Sequence, residues 1–582
     1  MTDFKQEIAQ LLAQHIESMS AEDIYPLIEV PADNTHGDYA FPCFRLAKVL
    51  RKAPPLIAAE LAEKISSSEL FEKVEPVNAF LNMFINKAHF TGSALTEVFG
   101  KGDRFGSTDL GEGRTVIVEF SSPNIAKPFH IGHIRTTVIG NSLYKIFDFL
   151  GYNVVRINHL GDYGTQFGKM ITAYRHWGSK AEVEADPIKT LLAYYVKFHE
   201  EEKKDPSLTE EAREAFAALE RGDKEETELW QWIRDESLKE FRRVYDMLDI
   251  DFDSWAGESF YSDKMPAVVQ ELKDKGLLVE SRGAQIVDLE KYGLTPAIVT
   301  KGDGTSIYLT RDLAAAIYRK KTYDFSKCIY VVASQQDLHF KQLFKVLELM
   351  GYEWAKDMVH VNFGMVSLPE GTLSTRAGRV VFLEDVLNTA VEKTREIVLE
   401  KGVNAEIIDQ TAKTVGIGAV MFNELSASRI KDYTFDWNEV LNFDGETGPY
   451  VQYTHARCAS VLRNAAEQFG GAARQIAENT GAAELLAGAD LSVLGSEAAY
   501  ELVKDIYEFP AVVKEAAAKY EPSVITRHIV DVAQGYNKFY HDEHILVADE
   551  KERTAKLLLT RAAMQTIRNG LALLGIKAPE RM

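Results

Sequence analysis

Two histidines three positions apart, His130 and His133, are the first side chains in this sequence whose spacing could do chemistry. They stand in the tetrad His-Ile-Gly-His where an apolar run meets a helical pattern, and residues three apart on a helix share a face. The first turn of a helix has free backbone amides and favours anions. Gly132 has no side chain, so the flat base of a nucleotide could lie close to the backbone. We therefore expect both imidazoles to donate hydrogen bonds to the phosphates of ATP as charge builds at the α-phosphorus.

The His-x-x-His spacing alone has two plainer interpretations. The histidines could begin an ordinary helix, or they could form a zinc pair. A zinc pair on a helix is more usually spaced four apart and needs a third ligand, which the neighbouring sequence does not supply. We therefore expect no metal site, and the strand–loop–helix context favours phosphate binding over an ordinary helix start.

The elements that must position the histidines predict a parallel sheet. Short apolar runs typical of buried strands alternate with helical patterns along this part of the chain. The first unit is a strand at 115–120, a helix at 130–151 and a strand at 153–160. Further strand-like runs lie at 306–310, 328–334 and 358–364. This alternation predicts a Rossmann-type, doubly wound α/β domain.

The pattern changes along the chain predict three domains. Residues 1–105 suggest a small α+β domain, and residues 106–385 hold the sheet pattern. A charged, mostly helical stretch at about 170–248 is typical of an insertion into that sheet domain. Residues 386–582 show helical patterns with almost no strand signal, so we expect an all-α domain.

Within the N-terminal part, four stretches carry specific expectations. They are a turn-rich stretch at 36–42, a helix near 44–66, a strand near 79–86 and a linker rich in glycine and aspartate at 100–114.

Charge and cysteine usage bear on partners and compartment. The net charge is −21 at pH 7, which speaks against a nucleic-acid partner, although a local basic groove can lie on an acidic body. The three cysteines are far apart, which fits a reducing cytoplasm. Neither a long apolar run nor a signal peptide is recognisable, so we expect a cytoplasmic protein without a membrane span.

Longer strings around these elements resemble the arginyl-tRNA synthetases, a family of class I aminoacyl-tRNA synthetases. The strings follow the family's order over nearly the whole chain: EFSSPNIAKPFHIGHIRTTVIGNSL (119–143), NHLGDYGTQFGKM (158–170), IYLTRDLAAAIYR (307–319), VVASQQDLHFKQ (331–342), LSTRAGRVVFLEDVL (373–387), GPYVQYTHARCASVLR (448–463), NKFYHDEHIL (537–546) and LLGIKAPERM (573–582).

The resemblance implies a Rossmann catalytic core, an N-terminal domain that touches the tRNA elbow and a helical C-terminal anticodon-binding domain. It implies L-arginine, ATP with Mg²⁺ and tRNA(Arg) as substrates, with an arginyl-adenylate intermediate and activation that usually requires bound tRNA. We expect a monomer with no tightly bound metal or organic cofactor.

The resemblance also places an arginine pocket at Glu119, Asn124, His130, Glu258, Tyr308, Asp312 and Gln336. A guanidinium is planar and permanently charged, and carboxylates bind it through forked, charge-assisted pairs. Asp312 and Tyr308 stand four apart and can face one site, and Glu258 is a weaker candidate for a second carboxylate. Glu119, Asn124 and Gln336 would hold the α-amino group or orient the pocket. Asp312 also suits a helix cap, and both roles can coexist.

Class I enzymes usually carry two lysines in a phosphate-binding loop, and this sequence departs from that pattern. At 372–376 it reads Thr-Leu-Ser-Thr-Arg, with threonine at both lysine positions. In the family a lysine before the histidine tetrad is thought to substitute, and Lys127 is that lysine here. We expect catalytic roles for Lys127, Ser374 and Arg376, and ATP contact for Thr375. The alternative is a solvated loop with ordinary basic residues.

Aromatic and basic side chains interleave in the C-terminal helices. They are Tyr450, Tyr453, Tyr536, Phe539 and Tyr540 with His455, Arg457, Arg463 and Lys538. Aromatic rings stack splayed anticodon bases while cations hold the backbone, so we expect Tyr453, Arg457 and Tyr536 to bind tRNA. The alternative is a core face, which an aromatic stripe at helical spacing also suits. Asn82 and Phe84, on a predicted strand, are further candidates for tRNA contact.

Two other functions fit parts of the pattern. A class I synthetase for glutamine or glutamate would need cations for its substrate, whereas Asp312 and Tyr308 favour a cationic one. A catalytically silent relative that only binds RNA would tolerate the missing lysine pair, but the complete histidine tetrad speaks against it.

Overall fold

The structure, a computed structural model, describes residues 3–127, 129–301, 308–367, 381–400 and 406–582. Its N-terminal elements are α1 (Phe4–Ala13), α2 (Ala21–Ile24), β1 (Tyr39–Pro42), α3 (Ala47–Leu50), α4 (Pro54–Ile65), β2 (Phe71–Val77), β3 (Phe80–Ile85) and α5 (Lys87–Lys101). The three strands form an antiparallel sheet in the order β1–β3–β2. The strand predicted near 79–86 is confirmed as the central strand of this sheet.

Two N-terminal expectations need revision. The turn-rich stretch at 36–42 contains strand β1, which pairs with β3. The helix expected near 44–66 is two helices, because Arg51 ends α3 in a left-handed conformation (φ 52°) and α4 starts afresh at Pro54. Proline suits the first turn of a helix, where its missing amide proton is not needed.

A four-stranded parallel sheet forms the middle of the molecule. The elements from β4 onward are β4 (Thr115–Glu119), α6 (Ile134–Phe149), β5 (Asn153–Ile157), α7 (Thr165–Trp177), α8 (Lys180–Ala185), α9 (Pro187–Glu201), α10 (Ser207–Glu220), α11 (Lys224–Leu248), α12 (Met265–Asp274), β6 (Leu278–Ser281), β7 (Ala284–Val287), β8 (Ala297–Thr300), α13 (Tyr308–Tyr323), β9 (Lys327–Ala333), α14 (Asp337–Leu349), β10 (Met358–Phe363) and β11 (Val366–Ser367). The sheet order is β10–β9–β4–β5 with every neighbour parallel, which confirms the predicted α/β class.

The sheet domain differs from the prediction at two places. The strand expected at 306–310 is wrong for its described residues, since Tyr308–Thr310 form the first turn of α13; residues 302–307 lie outside the described chain. A second, antiparallel sheet, β6–β7–β8, was not expected. The stretch predicted as a helical insertion at about 170–248 folds into helices α7 to α11.

The C-terminal part is helical almost throughout. Its elements are α15 (Leu383–Glu400), α16 (Ile408–Ser426), β12 (Tyr433–Thr434), α17 (Trp437–Val440), α18 (Gly448–Phe469), α19 (Gly471–Ala477), α20 (Ala482–Ala487), α21 (Glu497–Lys519), α22 (Ser523–Asp542) and α23 (Glu550–Leu573). Helix α23 is buried along most of its length and packs against α18, α21 and α22. The two-residue strand β12 pairs with β11 in a separate two-stranded sheet and so joins this part to the segment that follows β10.

The stretch predicted as a linker at 100–114 is in part a packed seam between domains. Asp103 Oδ1 accepts a hydrogen bond from Gln565 Nε2 at 2.9 Å, and Phe105 O accepts one from Asn569 Nδ2 at 3.0 Å. The Phe105 ring stacks on Phe509 with centroids 5.8 Å apart. The N-terminal domain is therefore joined to the C-terminal helices by fixed contacts as well as by the chain.

All three cysteines are buried and free. No helix in the described ranges is long and apolar enough to cross a bilayer.

Candidate active site

The predicted site residues gather at the carboxyl ends of the parallel strands. From β4 the chain winds to β5 on one side and returns to β9 on the other. The direction of winding therefore reverses between β4 and β9, and open α/β sheets bind ligands in the crevice at such a point. The histidine tetrad follows β4, and Gln336 follows β9.

The histidine tetrad enters α6 through a tight turn. Ile131–His133 forms a single 3₁₀ turn, and the α-helix begins at Ile134. His130 Nδ1 accepts the Gly132 amide at 3.1 Å, and His133 Nδ1 accepts the His130 amide at 3.2 Å. The two ring centroids lie 4.0 Å apart. The histidines do share one face, and reciprocal capping bonds, rather than helical spacing, bring them together.

Both histidines are neutral donors in this arrangement. Burial lowers the pKa of His130 to about 4. Burial, and then the neighbouring His130, lower the pKa of His133 well below its usual value. Each Nδ1 accepts an amide proton, so each neutral ring carries its own proton on Nε2. The site therefore offers two adjacent Nε2–H donors, which suit phosphate oxygens.

A short antiparallel contact fixes the tetrad against the start of α15. The Ile131 amide donates to Val381 O at 3.1 Å, and the Leu383 amide donates to Phe129 O at 2.9 Å. The Phe129 ring also lies 5.2 Å from the ring of His133. The helical segment that follows residues 368–380 is thus bonded directly to the tetrad.

The loop between β4 and the tetrad has an unusual backbone. Ser121, Ser122 and Ala126 have positive φ values of 69°, 46° and 58°. Such conformations cost about 1–3 kcal/mol each in residues with a side chain, and persist where neighbouring structure imposes them. Ser121 Oγ lies 2.7 Å from Tyr245 Oη, and the Ala126 amide donates to Ser237 Oγ at 3.3 Å. Both partners belong to α11, so the insertion holds this loop.

Asn124 packs on a glycine that follows β5. The Gly161 amide donates to Pro123 O at 3.0 Å, and Gly161 O accepts the Ile125 amide at 3.1 Å. A Cβ at position 161 would lie only 2.5 Å from Asn124 Oδ1. Glycine is therefore required for this close approach, which sets where the Asn124 amide lies.

Asp312 lies in the predicted arginine pocket with one oxygen engaged. Its Oδ2 accepts a hydrogen bond from His339 Nε2 at 2.6 Å, and its Oδ1 lies 3.8 Å from His159 Nε2. Burial works to raise the pKa of Asp312, but the His339 bond and nearby cations outweigh it and lower the pKa. About a quarter of the side chain, 23%, is exposed. Tyr308, one turn earlier on α13, is 60% exposed. Asp312 is therefore an ionised and reachable carboxylate.

The two other predicted carboxylates are already paired with protein arginines. Glu258 lies 3.1 Å from Arg311 Nη1, with side chains 8% and 10% exposed. Glu119 pairs with Arg319, with side chains 7% and 1% exposed. Burial raises the pKa of Glu258, and Arg311 opposes that rise. The structure brings both carboxylates to the pocket, but it shows each with a cationic partner.

The remaining predicted contacts border the pocket or lie outside the described residues. Gln336 is exposed directly before α14. Lys127 is half-buried, and its charge adds to burial and His130 in lowering the pKa of His133. The predicted contacts Ser374, Thr375 and Arg376 fall within 368–380 and lie outside the described residues.

Four residues of the pocket were not predicted from the sequence: His159, His339, Arg311 and Arg319. They complete the pairs around Asp312, Glu258 and Glu119. One signal could have found Arg319, which stands two helical turns after Asp312 on the buried face of an alanine-rich helix. A buried arginine requires a partner, and a carboxylate at a strand end is a suitable one.

Arg457 and Tyr453 form an exposed aromatic and basic surface in the C-terminal helices. The Arg457 guanidinium lies 4.9 Å from the Tyr453 ring and 5.3 Å from the Tyr540 ring. Tyr453 is 38% and Tyr540 44% exposed. Asn537 bonds to Arg457 and, at 2.9 Å, to Tyr450 Oη. The surface thus holds exposed rings beside an oriented cation.

Two predicted tRNA contacts are wrong because their side chains are buried. Tyr536 is 0% exposed, and Asn82 is 4% exposed on the central strand β3. Tyr536 belongs to the core face of α22, as the alternative interpretation of the aromatic stripe had it. Phe84 is half-buried, with Lys73 Nζ 5.2 Å from its ring, and stays a candidate.

Three family models match the chain in order. They are "Arginyl tRNA synthetase N terminal domain" over residues 5–85, "tRNA synthetases class I (R), catalytic domain" over 94–437 and "DALR anticodon binding domain" over 451–582.

Similar proteins and structures cover the whole chain. It is 57% identical over 582 residues to an arginine–tRNA ligase of Clostridioides difficile (strain 630), and 54% identical over 582 residues to one of Halothermothrix orenii, each alignment covering 100% of both chains. The arginyl-tRNA synthetase structure of Thermus thermophilus superposes with a TM-score of 0.77 at 25% identity, over 99% of this chain and 100% of that one. A Plasmodium falciparum arginyl-tRNA synthetase structure shares the fold, with a TM-score of 0.76 at 23% identity over 99% and 98% of the chains.

Proposed function

Because the chain belongs to the arginyl-tRNA synthetases, within the class I aminoacyl-tRNA synthetases, we propose a role for each part of its active site. The enzyme is an arginine–tRNA ligase. L-Arginine and ATP give arginyl-adenylate and pyrophosphate, and the 3′-terminal adenosine of tRNA(Arg) then takes the arginyl group and releases AMP. The full-length similarity to arginine–tRNA ligases argues against the two alternatives, a glutamine or glutamate enzyme and a catalytically silent relative.

His130 and His133 bind the phosphates of ATP in this proposal. Their Nε2–H groups are adjacent, neutral and held by capping bonds, so they need no reorganisation when charge develops on the α-phosphate. Gly132 leaves room for the base, and Lys127 adds a positive charge beside the tetrad. ATP enters as its Mg²⁺ complex. We propose that Ser374, Thr375 and Arg376 complete the phosphate contacts.

Asp312 and Tyr308 receive the guanidinium of arginine. The support is that Asp312 is ionised, partly exposed and one helical turn from the exposed Tyr308. A carboxylate prefers a cation over the neutral side chain of an analogue, because a neutral ligand would leave the charge unpaired. Glu258 shapes the pocket through its pair with Arg311 and bonds the substrate less directly.

Glu119, Asn124 and Gln336 orient the α-amino end of arginine. Their side chains follow β4 and β9 at the point where the sheet reverses its winding. This places the substrate carboxylate beside the tetrad, where it attacks the α-phosphorus. Positioning and charge stabilisation carry both steps, and we assign no general base.

Transfer RNA lies along the C-terminal helices, where Tyr453 and Arg457 bind anticodon nucleotides. The exposed rings of Tyr453 and Tyr540 flank a guanidinium, a combination that stacks unpaired bases. Phe84 is the candidate contact in the N-terminal domain. We further propose domain limits of 1–105, 106–385 and 386–582, a monomer and a cytoplasmic location; light scattering on purified protein tests the monomer.

The observation that carries the residue assignment is the position of Asp312, whose Oδ1 accepts no hydrogen bond from a described residue. ATP–pyrophosphate exchange with arginine, with and without tRNA, tests it. Asp312→Asn should raise the KM for arginine about 10-fold to 100-fold, since a hydrogen bond to a charged group contributes about 1.5–3 kcal/mol, and should leave the KM for ATP unchanged. His133→Ala should abolish exchange while tRNA binding persists. Near wild-type exchange by His133→Ala would overturn the phosphate role.

A further inference from the structure

A chain of charged and polar groups crosses the floor of the arginine pocket. Glu119 pairs with Arg319, Arg319 Nη2 lies 3.3 Å from His159 Nδ1, and Asp312 lies between His159 and His339. An arginine side chain has only donors, so His159 Nδ1 accepts and neutral His159 carries its proton on Nε2. That Nε2 is buried and has no hydrogen-bond partner among the described residues.

The two oxygens of Asp312 are therefore unequal. Oδ2 is held by His339 at 2.6 Å, whereas His159 Nε2 faces Oδ1 from 3.8 Å, beyond hydrogen-bond distance. One oxygen fixes the carboxylate and the other is open to a donor from the substrate. His339 is itself 20% exposed, so protons can exchange between its ring and solvent.

Among the described cations that pair with pocket carboxylates, His339 is the one that can lose its charge, because His159, 3.8 Å from Asp312 Oδ1, accepts from Arg319 through Nδ1 and is not a cation. Glu258 and Glu119 face arginines, which keep their protons in proteins, and separating either pair would leave a buried charge without a partner. A histidine can become neutral and still donate a hydrogen bond. Asp312 is thus the pocket carboxylate that can exchange a protein cation for the substrate guanidinium.

We propose that His339 is the positioning residue of the arginine pocket: it holds Asp312 by one oxygen and releases a proton to solvent when arginine binds. The proton leaves Nδ1, whose electron pair stays on the ring, so that Nε2–H continues to donate to Asp312. The guanidinium replaces the positive charge that departs. This inference rests on the proposed role of Asp312 in binding arginine.

The charged and titratable groups near His339 determine how arginine binding should depend on pH. Asp312, Glu119 and His360 interact directly with His339. His159 and Arg319 act on Asp312, and Asp337 pairs with His360. Burial works to lower the pKa of His339, but the bond and charge of Asp312, with help from Glu119, outweigh it and raise the pKa. A guanidinium on Asp312 cancels that attraction. The free enzyme therefore binds the proton more strongly than the complex, so a lower pH weakens arginine binding by at most tenfold per pH unit.

Titration calorimetry counts the released proton. Arginine is titrated into the full-length enzyme, with tRNA present, at one pH in buffers of different ionisation enthalpy. The test variants are His339→Gln, whose amide can place a donor near the Nε2 position, and His339→Asn, whose shorter amide cannot reach Asp312. The matched control is His176→Gln, since His176 Nε2 also lies 2.7 Å from a carboxylate, that of Glu211, on the helical insertion.

The wild type and His176→Gln should release the same fraction of a proton, and both His339 variants should release none. Below neutral pH the KM for arginine should rise up to tenfold per unit in the wild type and stay level in both His339 variants. At high pH, His339→Gln should keep a KM within about threefold of wild type, whereas His339→Asn should raise it about tenfold. Equal proton release by wild type and His339→Gln would overturn the inference. Absence of arginine binding to the wild type would instead refute the proposed function itself.

Discussion

Replacing Glu119 by glutamine leaves Arg319 as a buried cation without its counter-charge. The Arg319 side chain is 1% exposed, and its Nε has no hydrogen-bond partner among the described residues. The contacts that remain include His159 Nδ1 at 3.3 Å and the rings of Tyr261 and Tyr330 at 5.8 and 5.7 Å. These contacts already exist in the wild type, so they do not compensate for the loss of the negative charge of Glu119. Removing one partner of a buried ion pair typically costs about 3–5 kcal/mol, and we expect Glu119→Gln to destabilise the sheet domain by that amount.

Urea unfolding combined with hydrogen exchange of the β4 and α13 peptides measures this loss, since a chain of several domains does not unfold in one step. The control is Glu60→Gln, which breaks an exposed ion pair with Lys52 whose side chains are 48% and 47% exposed, and should cost about 0–1 kcal/mol. The double variant Glu119→Gln with Arg319→Met should recover most of the stability, because it removes both buried charges. A single-variant loss no larger than that of Glu60→Gln would refute the reasoning.

Three further predictions concern glycine packing, RNA contact and pH. Gly161→Ala places a Cβ 2.5 Å from a side-chain oxygen of the loop before the tetrad and should raise the KM for arginine about tenfold or more. The control Gly100→Ala, whose Cβ would have no neighbour within 4 Å, should leave that KM unchanged. Equal KM values for the two variants would contradict the packing argument. Arg457→Met should raise the KM for tRNA about tenfold without changing the KM for arginine, and buried Tyr536→Phe should change neither; aminoacylation kinetics decide between them. Burial lowers the pKa of His130 to about 4, so its ring is neutral above about pH 5. The ratio of kcat/KM for ATP between the wild type and His130→Gln should therefore stay constant from about pH 5.5 to 8. A ratio that changes with a titration near neutral pH would show that His130 is charged.

The parts of the fold that sequence reasoning found are those with a strong local pattern. Strands β4 and β9 are apolar runs buried along most of their length, and the edge strands β5 and β10 are mostly apolar. Such short runs stand out from the helices between them. Strands β6 to β8 have four residues each and a mixed polarity, so no period could be recognised. Tyr308–Thr310 has strand-like side chains but lies in the first turn of α13, where tertiary packing overrides the local preference.

The site divides in the same way. The histidine tetrad was predictable because its capping bonds join residues that are neighbours in the sequence. The partners of Glu119 and Asp312 were not, because Arg319 and His339 reach the pocket only when separate strands and helices pack together. Tyr536 was predicted wrongly because a tyrosine suits both RNA stacking and a hydrophobic core. The packing of the helices, which the sequence does not show, places it in the core.

Helix α11 of the helical insertion holds two loops of the candidate active site. Asp162, fully buried after β5, accepts hydrogen bonds from Arg234 Nε at 3.0 Å and from the Ser259 amide at 2.8 Å, and its carbonyl accepts Trp230 Nε1–H at 2.8 Å. Arg234 and Trp230 belong to α11, the helix that also bonds Ser121 through Tyr245. One helix therefore holds the loops after both β4 and β5. The left-handed backbone before the tetrad would relax without these bonds, so the positions of His130 and His133, the proposed phosphate donors, depend on α11 although that helix contributes no predicted substrate contact.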